Sequence, residues 1–173
     1  MKTNHTQAKS LINSAINDIK RALKSIKAKD YADVAFRSQF TVEKLNKGLL
    51  CFLGLKFEKT HTPSKIIKCV LKDEKLLKIN KNTEDAFNKI IIYSEFFEKQ
   101  GTTTIYGTLK EDIISFPEDI YNSFEKIKEF IINLKNMLYQ YSTLLRDSFN
   151  ITEEEYDGLK QLKSLLGDIK KWL

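Results

Sequence analysis

Between residues 31 and 54 the chain reads YADVAFRSQFTVEKLNKGLLCFLG, and its apolar residues recur at steps of three and four. Tyr31, Ala35, Ser38, Val42, Leu45, Leu49 and Phe52 therefore fall on one stripe of a helix about six turns long. The same spacing sets Arg37, Thr41, Lys44 and Gly48 on the opposite, solvent side, and pairs Glu43 with Lys47 at i,i+4. Gly54 is placed to end this helix. Thr62 and Pro63 then supply a cap and a first-turn proline for the next one, with His61 just ahead of them.

The rest of the chain repeats that pattern. Only six glycines and two prolines interrupt 173 residues, and few windows alternate with period two. An all-α fold follows: an antiparallel up-and-down bundle of five or six helices, in one domain spanning residues 1–173. The first helix is predicted over residues 5–28, with Ala8, Ile12, Ala15, Ile19, Ala22 and Ile26 as its stripe and Lys20, Lys24 and Lys27 facing solvent. Lys29-Asp30 makes a tight junction to the second helix. The third helix runs from Pro63 to about residue 73 and continues frayed beyond it. The fourth is capped by Asn82 or Thr83 and stops at Gln100-Gly101.

Residues 101–116, GTTTIYGTLKEDIISF, read as a long irregular connection with room for a short strand or hairpin around Thr102–Tyr106. Ser115 and Glu118, with Pro117 between them, predict the start of a helix over 117–146. Its seam is Ile120, Phe124, Ile127, Ile131, Leu134, Leu138, Tyr141 and Leu145. After Asn150, Thr152 and Glu155 make a second capping box for a last helix whose apolar face runs from Tyr156 to Leu173.

Several function classes drop out on composition. There is no apolar signal core near the N-terminus and no stretch long enough to span a bilayer, so a soluble, cytoplasmic protein is expected. Cys51 and Cys69 lack metal-ligand spacing and read as two buried reduced thiols; no metal or other cofactor is expected. Gly-rich phosphate loops, GxSxG and HExxH are all missing. The run Glu153-Glu154-Glu155 suits a helix N-terminus rather than acid–base work.

Charge is uneven: residues 1–80 hold 17 Lys/Arg against 7 Asp/Glu, and residues 81–173 hold 12 against 16. A basic half is compatible with a phosphate or nucleic-acid surface. Lysine makes up 26 of the 29 basic residues, however, and specific phosphate clamps favour arginine.

The central stretch resembles the HEPN family, nucleotide-binding domains of higher eukaryotes and prokaryotes. The resemblance is carried by Tyr31, Ala35, Gln39, Glu43, Lys44, Lys47, Leu49 and Leu50, followed by Thr60-His61. It implies a homodimer with any ligand groove near the two-fold axis. It also implies a nucleotide- or RNA-related role, often beside a nucleotidyltransferase-type partner in a toxin–antitoxin-like or defence pair.

Many members of that family cleave RNA with an Arg followed four to six residues later by His. Histidine titrates near neutrality and serves as base or acid; arginine holds the phosphate bidentately. None of Arg21, Arg37 and Arg146 has a histidine at that spacing. Relatives also carry Arg-Tyr-Pro or Arg-Tyr-Gly in the long connection, where this chain has Ile105-Tyr106-Gly107. The expected function is a non-catalytic, dimeric nucleotide- or RNA-binding or interaction module. Arg37, Lys44, Lys47, His61 and Tyr106 are its candidate binding residues. The alternatives are a metal-independent ribonuclease using Arg37 and His61, and a purely structural dimer.

Overall fold

A computed structural model describes residues 4–55, 60–73 and 79–173. The elements run α1 (His5–Ala28), α2 (Tyr31–Phe52), α3 (Pro63–Leu71), α4 (Lys81–Tyr106), β1 (Thr108–Lys110), β2 (Ile113–Ser115), α5 (Pro117–Ile120), α6 (Phe124–Asp147) and α7 (Asp157–Lys170). Six of these helices span nine residues or more and α5 is a single turn, so the protein is an all-helical bundle carrying one small hairpin.

The α1–α2 hairpin forms as its sequence predicts. All six stripe positions of α1, from Ala8 to Ile26, are buried. Lys29 takes a left-handed conformation (φ 59°), and the Asp30 side chain caps α2 by accepting the Asp33 N–H at 3.0 Å. At the other end Leu55 N–H reaches the Leu50 carbonyl at 2.9 Å across Gly54, a Schellman closure.

Helix α2 is more enclosed than its own apolar stripe implies. Packed by α1, α3, α4, α5 and α6, it buries fourteen residues, including the polar Ser38, Gln39, Thr41 and Asn46. Thr41 and Gly48, expected on the solvent side, are buried. Gly48 sits where a Cβ would come within 3.4 Å of Tyr141, Ile12 and the Ala8 carbonyl, and Thr41 donates its hydroxyl to the Arg37 carbonyl. Asn46 donates to Ser94 Oγ at 2.8 Å, and Ser94 in turn donates to the Ile90 carbonyl. These bonds join α2 to α4 through the middle of the core.

Four boundaries differ from the expectation. Helix α4 is capped by Asn80, which accepts the Thr83 N–H at 2.9 Å, and it does not stop at Gly101 but continues to Tyr106. Packing carries it through the glycine: the Gln39 side chain of α2 lies against Gly101, and the buried Thr104 bonds back to the Gly101 carbonyl. Residues 101–116 are therefore not irregular. After Tyr106 they form a hairpin pairing Thr108 with Ser115, Leu109 with Ile114 and Lys110 with Ile113, beyond the Thr102–Tyr106 window.

Its two turn residues, Glu111 (φ 48°) and Asp112 (φ 66°), both take positive φ, as two-residue hairpin turns demand. Helix 117–146 is broken at Tyr121–Ser123. There Tyr121 turns inward, edge-on to Phe130 with ring centroids 5.4 Å apart, and Ser123 becomes the N-cap of α6. The Thr152–Glu155 bonds form in both directions, yet they close a turn, and α7 begins only at Asp157.

The α6 seam from Ile127 to Leu145 is buried, and α7 docks on α1 and α6 within the chain. Leu173, expected on the apolar face, is exposed. Cys51 is buried and its thiol pushed up by burial, but Cys69 lies on the solvent side of the short α3; both are free. The frayed extension predicted for α3 lies largely outside the described residues. No helix among the described residues is long and apolar enough to cross a membrane.

Two glycines give opposite expectations. Gly107 has φ 76°, and a Cβ there would stand 2.0 Å from the Ser115 carbonyl oxygen. Gly107→Ala should lower stability by about 1–3 kcal/mol, read as a fall in thermal midpoint. Gly167, in α7 with open space around it, should gain about 0.5–1 kcal/mol as Gly167→Ala from helix propensity alone.

Candidate functional site

Arg37, Lys44 and Lys47 lie along one side of α2 that reaches solvent. Asp33, Phe36, Arg37, Phe40, Glu43, Lys44 and Lys47 are each half-buried, while the residues between them are buried. Steps of three, one, three, three, one and three hold them to a sector roughly 120° wide at 3.6 residues per turn.

Beneath this stripe lies Asp18 of α1, only 3% exposed. Its carboxylate accepts from Arg37 Nη1 at 3.4 Å through one oxygen and from Lys44 Nζ through the other. Arg37 Nε also bonds Asp33 at 3.1 Å, and Asp33 accepts the Ser25 hydroxyl at 2.7 Å. Lys47 Nζ pairs with Glu43 at 2.6 Å. The basic groups Arg37, Lys44 and Lys47 thus stand against the acidic Asp18, Asp33 and Glu43, and this cluster carries no net charge.

Two aromatic rings share the stripe. Phe36 and Phe40, one turn apart, lie with centroids 4.6 Å from each other. The Arg37 guanidinium stands 5.2 Å from the Phe36 centroid, and Lys44 Nζ stands 5.9 Å from that of Phe40. Both cations are therefore held from below by a carboxylate and from the side by a ring.

His61 arrives from the other direction. The start of α3 is fastened to α4 by Glu98, which accepts the Ser64 N–H at 2.9 Å and its hydroxyl at 2.5 Å. Burial pushes the Glu98 carboxyl up from its ordinary range, and these two bonds oppose the shift. So anchored, the segment sets His61 Nδ1 3.4 Å from the second oxygen of Glu43, with the imidazole otherwise in solvent. Lys47 and His61 thus share one carboxylate. Arg37 answers to different ones, and six residues of α2 separate it from Glu43, about 9 Å along the axis.

Tyr106 stands apart from this cluster, 74% exposed at the last position of α4. Ile105 beside it joins Phe36, Thr104 and Pro117 in lining a groove of about 290 Å³ at the N-terminal end of the α2 stripe. Among the described residues no three His, Cys, Asp or Glu side chains assemble as a metal site.

The HEPN-domain family model matches residues 8–144. The chain belongs to the HEPN family. No curated protein and no solved structure matches it significantly. The matched region runs from the first turn of α1 almost to the end of α6, and so contains the whole α2 stripe and its ion network.

Two parts of this HEPN site were not picked out in the sequence. Asp18 was signalled by an acid set between Ala15, Ile19 and Ala22 on the buried side of α1. Phe36 and Phe40 were signalled by two aromatics at i,i+4 lying off the apolar stripe. Because Asp18 is buried, removing its charge leaves Arg37 and Lys44 without their shared anion. Asp18→Asn should cost about 1–3 kcal/mol, measured by chemical denaturation. Lys24→Gln, on the exposed side of α1, should stay within about 0.5 kcal/mol of the parent.

Proposed function

We propose that this HEPN protein is a non-catalytic interaction module that works as a dimer and takes a nucleotide or RNA as its ligand. The family resemblance adds a nucleotidyltransferase-type partner and a toxin–antitoxin-like or defence role. The supporting observation is the neutralised stripe. Arg37, Lys44 and Lys47 are each held by a carboxylate of the same chain. A phosphate-cleaving site needs a cation aimed at the phosphate and a base beside it. Here the guanidinium of Arg37 and the imidazole of His61 are bound to separate carboxylates. The RNA side of the proposal draws on the exposed lysines of α1, which lie outside the stripe.

A second reading, a ribonuclease built on Arg37 and His61, has one observation in its favour. A carboxylate facing Nδ1 orients an imidazole so that Nε2 is left for proton transfer, and Glu43 faces His61 in that way. The purely structural dimer remains as the third reading and differs in binding no polyanion.

Binding of nucleotides and of a single-stranded RNA, each at two salt concentrations, separates the three. The proposal expects retention that weakens as salt rises, with the RNA recovered intact. It also expects Asp18→Asn, which leaves Lys44 without its carboxylate while Arg37 keeps Asp33, to tighten retention several-fold. Cleavage that disappears in His61→Ala would overturn the proposal in favour of the enzyme. Absence of any binding, in both the parent and Asp18→Asn, would overturn the nucleotide and RNA part of it.

A further inference from the structure

Taking the dimeric reading above as its basis, we infer that a second copy of this chain docks on the outer stripe of α2. The two α2 helices then run antiparallel about a two-fold axis at Phe40.

The stripe is symmetric about that residue. Asp33 lies seven positions before Phe40 and Lys47 seven after; Phe36 and Lys44 lie four to either side; Arg37 and Glu43 lie three to either side. A two-fold interface joins residue i of one protomer to residue j of the other, and j to i. With the axis at Phe40 every stripe residue meets a complementary one. Asp33 faces Lys47 of the partner subunit and Arg37 faces Glu43 of the partner subunit. Phe36 receives Lys44 of the partner subunit as a cation over its ring, and Phe40 meets its own copy.

Charge and exposure favour this occupant over a polyanion. The three bases and three acids of the cluster sum to zero, so two such faces approach without net repulsion and a phosphate chain gains no net attraction. The partly exposed rings of Phe36 and Phe40 form the apolar centre that an interface core requires. Phe36 continues through the groove it shares with Ile105 and Pro117 to an apolar rim, where Tyr106 and Phe116 are more than half exposed. A monomer leaves Tyr106 and Phe116 of this run largely in water.

Sedimentation of the parent, Asp33→Lys, Lys47→Asp and Phe40→Glu tests the surface and the register together. Circular dichroism of each variant confirms that it is folded. The parent should dimerise. Asp33→Lys alone and Lys47→Asp alone each set like charges against each other twice across the axis, and each should weaken dimerisation about ten-fold. An equimolar mixture of those two variants should recover dimers, because each chain then supplies the sign its partner has lost. Phe40→Glu should abolish the dimer. A dimer indifferent to all three substitutions would overturn this surface and leave the dimeric reading standing. Single variants that weaken the dimer without recovery on mixing would overturn the register. A parent that stays monomeric would overturn the dimeric reading itself.

Discussion

The arrangement of α1 against α2 turns on one buried carboxylate. Asp18 is almost without solvent, and an isolated charge in such a place would cost several kcal/mol. Two cations seven residues apart on α2 compensate it, one at each oxygen. Their separation is close to two helical turns, so both reach the same point only when α1 and α2 hold one register. Apolar packing of the α1 stripe, with Ile12 and Ile19 among its alanines, brings the helices close but is non-directional and leaves some freedom of register. The Asp18 bonds are directional and remove that freedom. The network therefore contributes to the uniqueness of the hairpin's register, the better-attested role of buried ions.

The same network decides what the exposed side of α2 has to offer. Arg37 and Lys44 would be ordinary phosphate-seeking cations on a solvated face; over Asp18 they spend their charge inward. Asp33 and Glu43 repeat this at the two ends. What reaches solvent is a band of aromatic rings edged by paired charges, whose chemistry resembles an interface more than a polyanion clamp. The net basicity of the N-terminal half then resides mainly outside the stripe, on exposed lysines such as Lys24 and Lys27 of α1.

Much of this was legible in the chain. Periodicity placed α1 to the residue and the core face of α6 from Ile127 onward, because runs of apolar residues at 3.6 spacing leave one burial solution. It failed where tertiary packing outweighed local preference. Gly101 reads as a stop, but Gln39 fills the space beside it and α4 runs on. Ser115, Pro117 and Glu118 read as a helix start, but Tyr121 gains more by turning into the core than by continuing the helix, and α6 starts afresh at Ser123. The hairpin was hidden because its turn is Glu-Asp rather than a glycine-bearing pair, so no local signal marked it. Glutamate and aspartate at positive φ are affordable there only because the strands close around them.

The candidate site was legible by residue and not by partner. Arg37, Lys44, Lys47 and His61 were named from their positions on or just beyond one helix, and the structure does put Lys47 and His61 on a common carboxylate. A one-dimensional reading cannot show which acid from another helix lies beneath a cation, and that acid changes the meaning of the cation. With Asp18 in place, a lysine-rich helix face becomes charge-neutral without losing a single base from the sequence. The loss of the family's Arg–His spacing has the same consequence. With no histidine four to six residues after it, Arg37 serves the hairpin. Asp18, Asp33 and the Phe36 ring then hold it in place on three sides.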